Sequence, residues 1–486
     1  MVAPVVVDRP DMQDVQNSQT FVRYFWTYGG PGPHGGILPF VRSELSSRIS
    51  AANSGRKLRI TRHYWRKLGG LPNRKPLCHT TLGGELVSLG ISYMGTKRHL
   101  VPDLKEIISS CRKGIFLDVF SGMCSVGRAV APDRQVWSND LQSFAQLVAA
   151  THFCSSDPLI SRFEALGVTA AYRRSKIDEL SDTFSAFLAA EHAALENSDI
   201  GALATIFDQA VSSAQSALQI TAAGDYDLFS RRYAGTYFGY QQTVEIDAIR
   251  FALDRLRAEG RATADQWQAL VVALCIAMSR CSNSTGHFAQ SLYPKAANIK
   301  KVIAKRRRNI TSEWLTAIDE VMPIASQDWR KGNHAFRKDA TDLLSSLREF
   351  QIKPSVVYAD PPYTKDQYSR YYHVYETAVL YDYPPCSGMG LYRPDRATSP
   401  FSLASKVEEA MDGLIMAVAK IGSCLVLSYP QDGLLHNSTE AIPKMIRKHF
   451  GCDADHINIS HQHSTMGASK GASTHDVTEV IYRVAI

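Results

Sequence analysis

A carboxylate, two prolines and an aromatic residue directly follow the short apolar run 356–359. They are Asp360, Pro361, Pro362 and Tyr363. Such a run predicts a buried parallel strand, and the two prolines must end it because they cannot donate to the ladder. Ligands bind at the carboxyl ends of the strands in an open α/β sheet. We therefore expect Asp360 and Tyr363 to lie at the mouth of a site.

The chemistry that suits these residues is methylation of an exocyclic amine. Asp360 and the carbonyl of Pro361 can each accept a hydrogen bond from the amino group, which turns the nitrogen lone pair toward an incoming methyl group. Tyr363 offers a flat face on which an extruded base can stack. The alternative is that a strand simply ends in a proline-rich turn.

A second group of residues predicts a site for a nucleoside-type cofactor. Residues 114–128 have the pattern of a strand, a small-residue loop and a helix, in which Gly122 lets the backbone approach a ligand. Asp140 ends the next predicted strand, where a carboxylate can hold the two hydroxyls of a ribose. The alternative is a plain βαβ unit with a capping aspartate. Asp339 follows a later segment of the sheet and can accept from an adenine amino group of the cofactor.

Basic residues form two clusters, at 56–67 and 300–308, that we interpret as DNA-facing surfaces. The candidate contacts in them are Arg59, Arg62, Arg66, Lys67, Arg306 and Arg307. Tyr371 belongs to an aromatic-rich run past Tyr363 that can wall a base pocket or order over DNA as a lid. The alternatives are solvated basic faces and ordinary core packing.

Length and composition place the chain among globular proteins. Its 486 residues predict two or three domains, and 45% hydrophobic and 21% charged residues with a net charge of +7 are ordinary values. No run suits a membrane span or a signal peptide. Nine cysteines without short paired spacing favour a reducing cytoplasm and argue against a zinc site. His461 and His463 alternate as in a strand, but with no further ligand nearby we expect no metal site.

The pattern of apolar residues divides the chain into four predicted segments. Residues 1–90 form a basic N-terminal extension and 91–150 the first half of a sheet. Residues 151–333 are a mostly helical insert, in which Thr263 and Gln266 predict a helix start. Residues 334–486 return to the sheet and close with a loop and hairpin partner at its edge.

Together these motifs resemble the DNA adenine methylase family, the Dam-like amino-methyltransferases. The matching pieces are residues 93–97, 118–127, 140, 339, 360–363 and 371–382, together with 237–250 and 283–288. The resemblance runs from about residue 90 to the end of the chain. It implies an α/β, Rossmann-like methyltransferase sheet with an inserted helical target-recognition domain. It also implies S-adenosylmethionine (AdoMet) as methyl donor and a flipped adenine of duplex DNA as acceptor.

The resemblance also implies roles for individual residues. The target base would be held by Asp360, Pro361, Pro362 and Tyr363. The loop from Phe120 to Ser125 would wrap the methionine portion of AdoMet, while Asp140 would hold the ribose and Asp339 the adenine. The full implied cofactor set is Tyr93, Gly95, Lys97, Asp118, Phe120, Ser121, Gly122, Ser125, Asp140 and Asp339.

One departure from the family pattern is Cys124, which stands where the family usually has glycine and must therefore reach an unusual backbone angle. The motifs alone also suit methylation of cytosine N4 or of RNA adenine. A DNA-recognition module with a decayed methylase core is a further alternative. Double-stranded DNA is the expected partner, together with a restriction nuclease or another defence protein.

Overall fold

The computed structural model describes residues 91, 97, 99–156, 158–216, 225–350, 352–464 and 474–485, with only the backbone given at 461–464 and 474–476. The strands are β1 (Phe116–Asp118), β2 (Val136–Asp140), β3 (His334–Arg337), β4 (Val356–Ala359), β5 (Cys424–Pro430), β6 (Asp455–Ser464) and β7 (Thr474–Val484). The predicted N-terminal extension, 1–90, lies outside the described residues.

Helices precede, connect and follow the strands. They are α1 (Val101–Ser110), α2 (Ser125–Val130), α3 (Ser143–Phe153), α4 (Arg162–Thr183), α5 (Ser185–Glu196), α6 (Ile200–Ser216), α7 (Leu228–Arg232), α8 (Tyr240–Ala258), α9 (Ala264–Cys281), α10 (Ile299–Arg306), α11 (Ile310–Ile318), α12 (Gln327–Arg330), α13 (Ala340–Ser346), α14 (Ser369–Leu380), α15 (Val407–Ile421) and α16 (Ser438–Phe450). Among the described helices, none combines the length and apolar character that a bilayer span requires.

The seven strands form one sheet in the order β3-β2-β1-β4-β5-β7-β6. The first five are parallel, whereas β7 runs antiparallel to both β5 and β6. This arrangement confirms the predicted Rossmann-like α/β class. Because β1, β2 and β4 are parallel neighbours, their carboxyl ends meet at one edge of the sheet, where a site is expected.

The C-terminal hairpin is present, but its strands are placed differently from the prediction. β7 lies inside the sheet between β5 and β6, and residues 461–464, predicted as loop, extend the edge strand β6. The reason is burial: Val480 and Ile481 of β7 are buried, whereas β6 is mostly exposed. A strand with such apolar side chains is more stable between two neighbours than at an edge.

Alternate residues of the central strands fill two hydrophobic cores. Phe116 and Tyr358 point into a core shared with α1, α3, α14 and helices of the insert. Leu117 and Val357 point to the opposite face, which α13, α15 and α16 cover. The sheet is therefore covered on both faces, as its continuous apolar strands predict.

In its described part, the segment between β2 and β3 contains ten helices, α3 to α12, and adds no strand to the sheet. Local signals explain its helix ends. The Thr263 hydroxyl accepts from the N–H of Gln266, whose side chain accepts from the N–H of Thr263. The described residues all belong to one compact unit. The division of that unit at residues 150 and 333 stays a prediction.

Candidate active site

An open cavity lies at the carboxyl ends of β1, β2 and β4, with about 790 Å³ of empty space that includes its opening to solvent. Its lining includes residues predicted for both cofactor and target base, namely Phe120, Asp140, Asp339, Asp360, Pro361, Pro362 and Tyr363. Sequence reasoning missed other lining residues, among them Asn139, Gln142, Lys338, Tyr368 and Phe401. The signal for the first two was their position beside Asp140 at a strand end.

Asp140, the last residue of β2, ties the small-residue loop to the strand. Its carboxylate accepts from the N–H of Gly122 at 3.1 Å and from the N–H of Gln142 at 2.9 Å. Burial raises the pKa of Asp140 to about 6, although these hydrogen bonds oppose the shift. An ionised carboxylate has about four acceptor positions, so the group can hold these N–H donors and also accept from ligand hydroxyls.

The loop that follows β1 has the strained backbone that its sequence predicts. Cys124 adopts a left-handed conformation, with φ 59° and ψ 27°, and is completely buried. Gly122 also has a positive φ, 45°. A side chain at such a position costs roughly 1–2 kcal/mol, which the surrounding packing offsets. Burial raises the pKa of the Cys124 thiol, so the group stays neutral.

Five described residues predicted to bind the cofactor are not among those that line the cavity: Lys97, Asp118, Ser121, Gly122 and Ser125. Asp118 lies behind the loop, where its buried carboxyl accepts from the N–H of Phe120. Burial raises its pKa well above the usual value. Asp118 therefore supports the loop that follows β1, and its contact with a cofactor stays a prediction.

Asp339 caps α13 and also lines the cavity. Its Oδ1 accepts from the N–H groups of Thr341 and Asp342. Asn139 holds the neighbouring turn, since its side chain donates to the carbonyls of Val119 and Lys338 and accepts from the N–H of Lys338. These contacts fix the ends of β1, β2 and β3 against one another and shape one wall of the cavity.

Asp360, which follows β4, is part of a buried ionic cluster. The Lys97 ammonium lies 3.0 Å from Asp360 and 2.8 Å from Glu479 of β7, and it also lies over the ring of Tyr363, 5.0 Å from its centroid. Burial and Glu479 raise the pKa of Asp360, while Lys97 opposes the shift. Burial acts to lower the pKa of Lys97, but the two carboxylates outweigh it and raise that pKa.

Lys97 was predicted to bind the cofactor, and this stays a prediction; the structure pairs its ammonium with two carboxylates. Tyr93 and Gly95, the other residues of that prediction, lie outside the described residues. Sequence reasoning missed Glu479 entirely. Its one signal was an acidic side chain beside the apolar residues Val480 and Ile481.

The aromatic run after Tyr363 forms α14 and walls the cavity. Tyr368 and Ser369 are among the lining residues. Tyr371, predicted to contact nucleic acid, is only 7% exposed, and its ring packs 4.6 Å from that of His287. The structure therefore favours a packing role for Tyr371 over an open DNA contact, because its ring is already covered by protein.

Of the two predicted basic surfaces, the structure describes only the second, at residues 300–308. Arg59, Arg62, Arg66 and Lys67 lie outside the described residues. Arg306 is buried, where its guanidinium pairs with Glu191 at 2.6 Å and donates to the carbonyl of Gly235. This pairing corrects the DNA contact expected of Arg306. Arg307 is half exposed and lies 3.5 Å from Glu196.

The described residues contain no group of three or more side chains suited to hold a metal ion. The side chains of His461 and His463 lie outside the described residues.

The chemistry of the cavity lining suits an organic ligand with hydrogen-bond donors. The Oε1 atom of Gln142, a lining residue, is buried and has no hydrogen-bond partner within the described part of the chain. AdoMet, with its amino groups as donors and its ribose hydroxyls for Asp140, fits this set of acceptors.

Comparison with known proteins adds independent information. The sequence model of the D12 class N6 adenine-specific DNA methyltransferase family matches residues 93–211 and 264–408. The chain is 24% identical over 367 residues to the modification methylase StsI of Streptococcus sanguinis, which covers 74% of this chain and 46% of that protein. It is 25% identical over 365 residues to the type II methyltransferase M.FokI of Planomicrobium okeanokoites, covering 74% and 47% respectively. The chain thus spans about half the length of these curated relatives.

Proposed function

Because the chain belongs to the D12 class of N6 adenine-specific DNA methyltransferases, we propose that it transfers a methyl group from AdoMet to the N6 amine of adenine in double-stranded DNA. The observation that carries this proposal is the shared cavity at the strand ends. Asp140, Gln142 and Asp339 line the same cavity as Asp360, Pro361 and Tyr363. A nucleoside-type donor and a base can therefore meet there.

In this proposal the first half of the sheet holds the cofactor. Asp140 accepts from the ribose hydroxyls, while Asp339 and Gln142 accept from amino groups. Phe120 and Phe401, whose rings meet edge to face 5.3 Å apart, provide an apolar contact. AdoMet supplies a methyl group on a sulfonium, which is a good leaving group.

The second half of the sheet holds the base. The adenine leaves the duplex at a cost of roughly a few kcal/mol, which stacking on Tyr363 and hydrogen bonds in the pocket offset. Its amino nitrogen is a poor nucleophile because the lone pair is delocalised into the ring. Hydrogen bonds to Asp360 and to the Pro361 carbonyl favour the pyramidal form and stabilise the positive charge that develops on nitrogen.

Placing donor and acceptor in one cavity supplies much of the rate, because the reaction becomes effectively unimolecular. Asp360 need not be a strong base, since the N–H becomes acidic only after methyl transfer. The proposed step is therefore direct transfer without a covalent enzyme intermediate. In this step Asp360, Pro361, Pro362 and Tyr363 form the catalytic set.

The relatives are a modification methylase and a type II methyltransferase, and their names support a proposal for the biological role. We propose that this protein modifies specific DNA sites within a restriction-modification system, with a restriction nuclease or another defence protein as its partner. The helical segment 151–333 would recognise the target sequence. Because Arg306 is buried, exposed cations such as Lys300, Lys301 and Arg307 would make the phosphate contacts there.

A methyl-transfer assay tests the proposal. The full chain is incubated with labelled AdoMet and genomic DNA that lacks adenine methylation, and the digested nucleosides are identified by mass spectrometry. The expected product is N6-methyladenine, which disappears in Asp360→Ala while AdoMet binding persists. N4-methylcytosine as product would move the acceptor to cytosine. A variant with wild-type activity would contradict the role of Asp360.

A further inference from the structure

Glu479 is not among the residues that line the cavity, yet it shares an ammonium group with the proposed catalytic carboxylate. Lys97 and Glu479 have side chains only 6% and 2% exposed, and that of Asp360 is 15% exposed. Glu479 also accepts a hydrogen bond from the hydroxyl of Ser428 in β5. Charges shielded from water in this way interact far more strongly than charges on a protein surface.

The sharing of one ammonium by two carboxylates changes what Asp360 can do. Asp360 and Lys97 alone would be a neutral pair, in which the cation competes with the target amine for the electrons of the carboxylate. Because Lys97 also pairs with Glu479, its positive charge is shared between two carboxylates and neutralises Asp360 only in part. The ionised cluster of these three residues has a net charge of −1. A negative cluster is the environment that favours positive charge on a reacting amine.

We propose that Glu479 is a positioning residue for methyl transfer, which holds Lys97 away from full pairing with Asp360 and keeps the catalytic cluster negatively charged. The inference rests on the proposed function, since it gives Glu479 a part in that same reaction. Glu479 acts through Lys97 and Asp360 and makes no contact with the substrate.

The proposal has a consequence for the dependence of activity on pH. The titratable groups that act on Asp360 or are affected by it within the described residues are Lys97, Asp118, Tyr358, Tyr363, Tyr368 and Glu479. Asp360 accepts from the amine most strongly when it is ionised, and the charge of Glu479 raises its pKa. Removing that charge lowers the pKa of Asp360. The acid limb of the activity profile should then move to lower pH, even though the maximal rate falls.

Glu479→Gln is the variant that separates charge from shape. The amide oxygen of glutamine can still accept from Lys97 or Ser428, so the main change is the loss of one negative charge. Ser428→Ala is the matched control, because it removes a hydrogen bond to Glu479 and leaves every charge in place. Glu440→Gln, at an exposed position of α16, controls for the loss of one negative charge at the surface.

The test measures kcat and the KM for AdoMet on duplex DNA for the full-length wild type and the three variants, over the pH range in which each stays folded. For Glu479→Gln we expect kcat to fall roughly 10–100-fold, while the KM for AdoMet changes by less than about twofold. Its acid limb should lie at lower pH than that of wild type. The two controls should keep the wild-type acid limb.

Three results would overturn the inference. The first is a wild-type kcat in Glu479→Gln, and the second is a lowered kcat with an unmoved acid limb, since a purely structural role predicts the latter. If Glu479→Gln does not fold, Glu479→Asp replaces it. This variant keeps the negative charge, so we expect a kcat within about threefold of wild type and a wild-type acid limb. A kcat lowered about tenfold or more in that variant is the third result. A wild-type chain that methylates no adenine instead overturns the proposed function, and the inference with it.

Discussion

The carboxylate of Glu376, in the helix after the catalytic motif, accepts a 3.0 Å hydrogen bond from the backbone N–H of Ser143, the first residue of α3. Its other oxygen accepts from the N–H of Phe144, also at 3.0 Å. A carboxylate at a helix N-terminus is favoured by the helix dipole. This contact joins α14 to the turn after Asp140 and so connects the proposed base half of the cavity to the proposed cofactor half.

Glu376→Gln should weaken both halves of the site. A glutamine side chain has one acceptor oxygen, whereas the N–H groups of Ser143 and Phe144 each donate to a separate oxygen of Glu376. One buried N–H group therefore loses its partner, at a cost of about 1–3 kcal/mol. We expect a lower free energy of unfolding and a KM for AdoMet raised by about tenfold. Denaturant titration and steady-state kinetics measure the two effects. Arg337→Ala is the control: it removes an exposed partner 3.5 Å from Glu376 and should cost less than about 1 kcal/mol.

AdoMet affinity should depend on pH through Asp140. Burial raises the pKa of this carboxyl to about 6, and the ionised form is the stronger acceptor for two ribose hydroxyls. The dissociation constant for AdoMet should therefore increase as the pH falls through about 6. Calorimetric binding without DNA measures this directly. Asp140→Asn should bind more weakly and lose the pH dependence; a wild-type affinity that stays flat across this range would contradict the assignment.

Cys124→Gly and Cys124→Val should differ sharply in stability. Glycine adopts the left-handed conformation without strain. The relief of backbone strain therefore offsets much of the stability lost with the buried cysteine side chain, and we expect a free energy of unfolding within about 1 kcal/mol of wild type. Valine is branched at Cβ and cannot adopt φ 59° without distortion of the loop, so a loss of about 2 kcal/mol or more is expected. Thermal unfolding distinguishes the two, and equal stabilities would show that the backbone angle is not limiting.

Arg306→Met should destabilise the protein without a direct effect on DNA binding. The substitution leaves Glu191 buried without its partner, which typically costs about 3–5 kcal/mol. Arg307→Ala, in the adjacent and half-exposed position, should cost less than about 1 kcal/mol. Unfolding in urea tests the pair. If Arg306→Met instead retained full stability and reduced the salt dependence of DNA binding, the original interpretation of Arg306 as a phosphate contact would be correct.

The sequence was most informative where a local signal determines structure. The apolar run before Asp360 and the two prolines predicted both β4 and its end. Thr263 and Gln266 predicted a helix start, and Cys124 predicted an unusual backbone angle. In each case, the physical cause lies within a few residues of the effect, so no knowledge of the tertiary fold is needed.

The predictions failed where a charged side chain has a distant partner. Arg306 lies in a basic run, which suggests a solvated or DNA-facing surface, but Glu191 is 115 positions away and covers it. Glu479 and Lys97 are 382 positions apart. Local composition cannot indicate such pairs, because burial is decided by how helices and strands pack. The exposure of a charge is therefore less predictable than the end of a strand.

The pairing of Lys97 with Glu479 also sets a time at which the protein can become active during its synthesis. Lys97 leaves the ribosome early, whereas its partner on β7 is translated 382 residues later. At ~5–20 residues per second this interval is roughly 20–80 s. For the first part of this interval Asp360 has not been made either, and β7 is absent from the sheet throughout it. Nascent chains should therefore leave DNA unmodified until β7 has been made, so the enzyme cannot act while it is still being translated up to that strand.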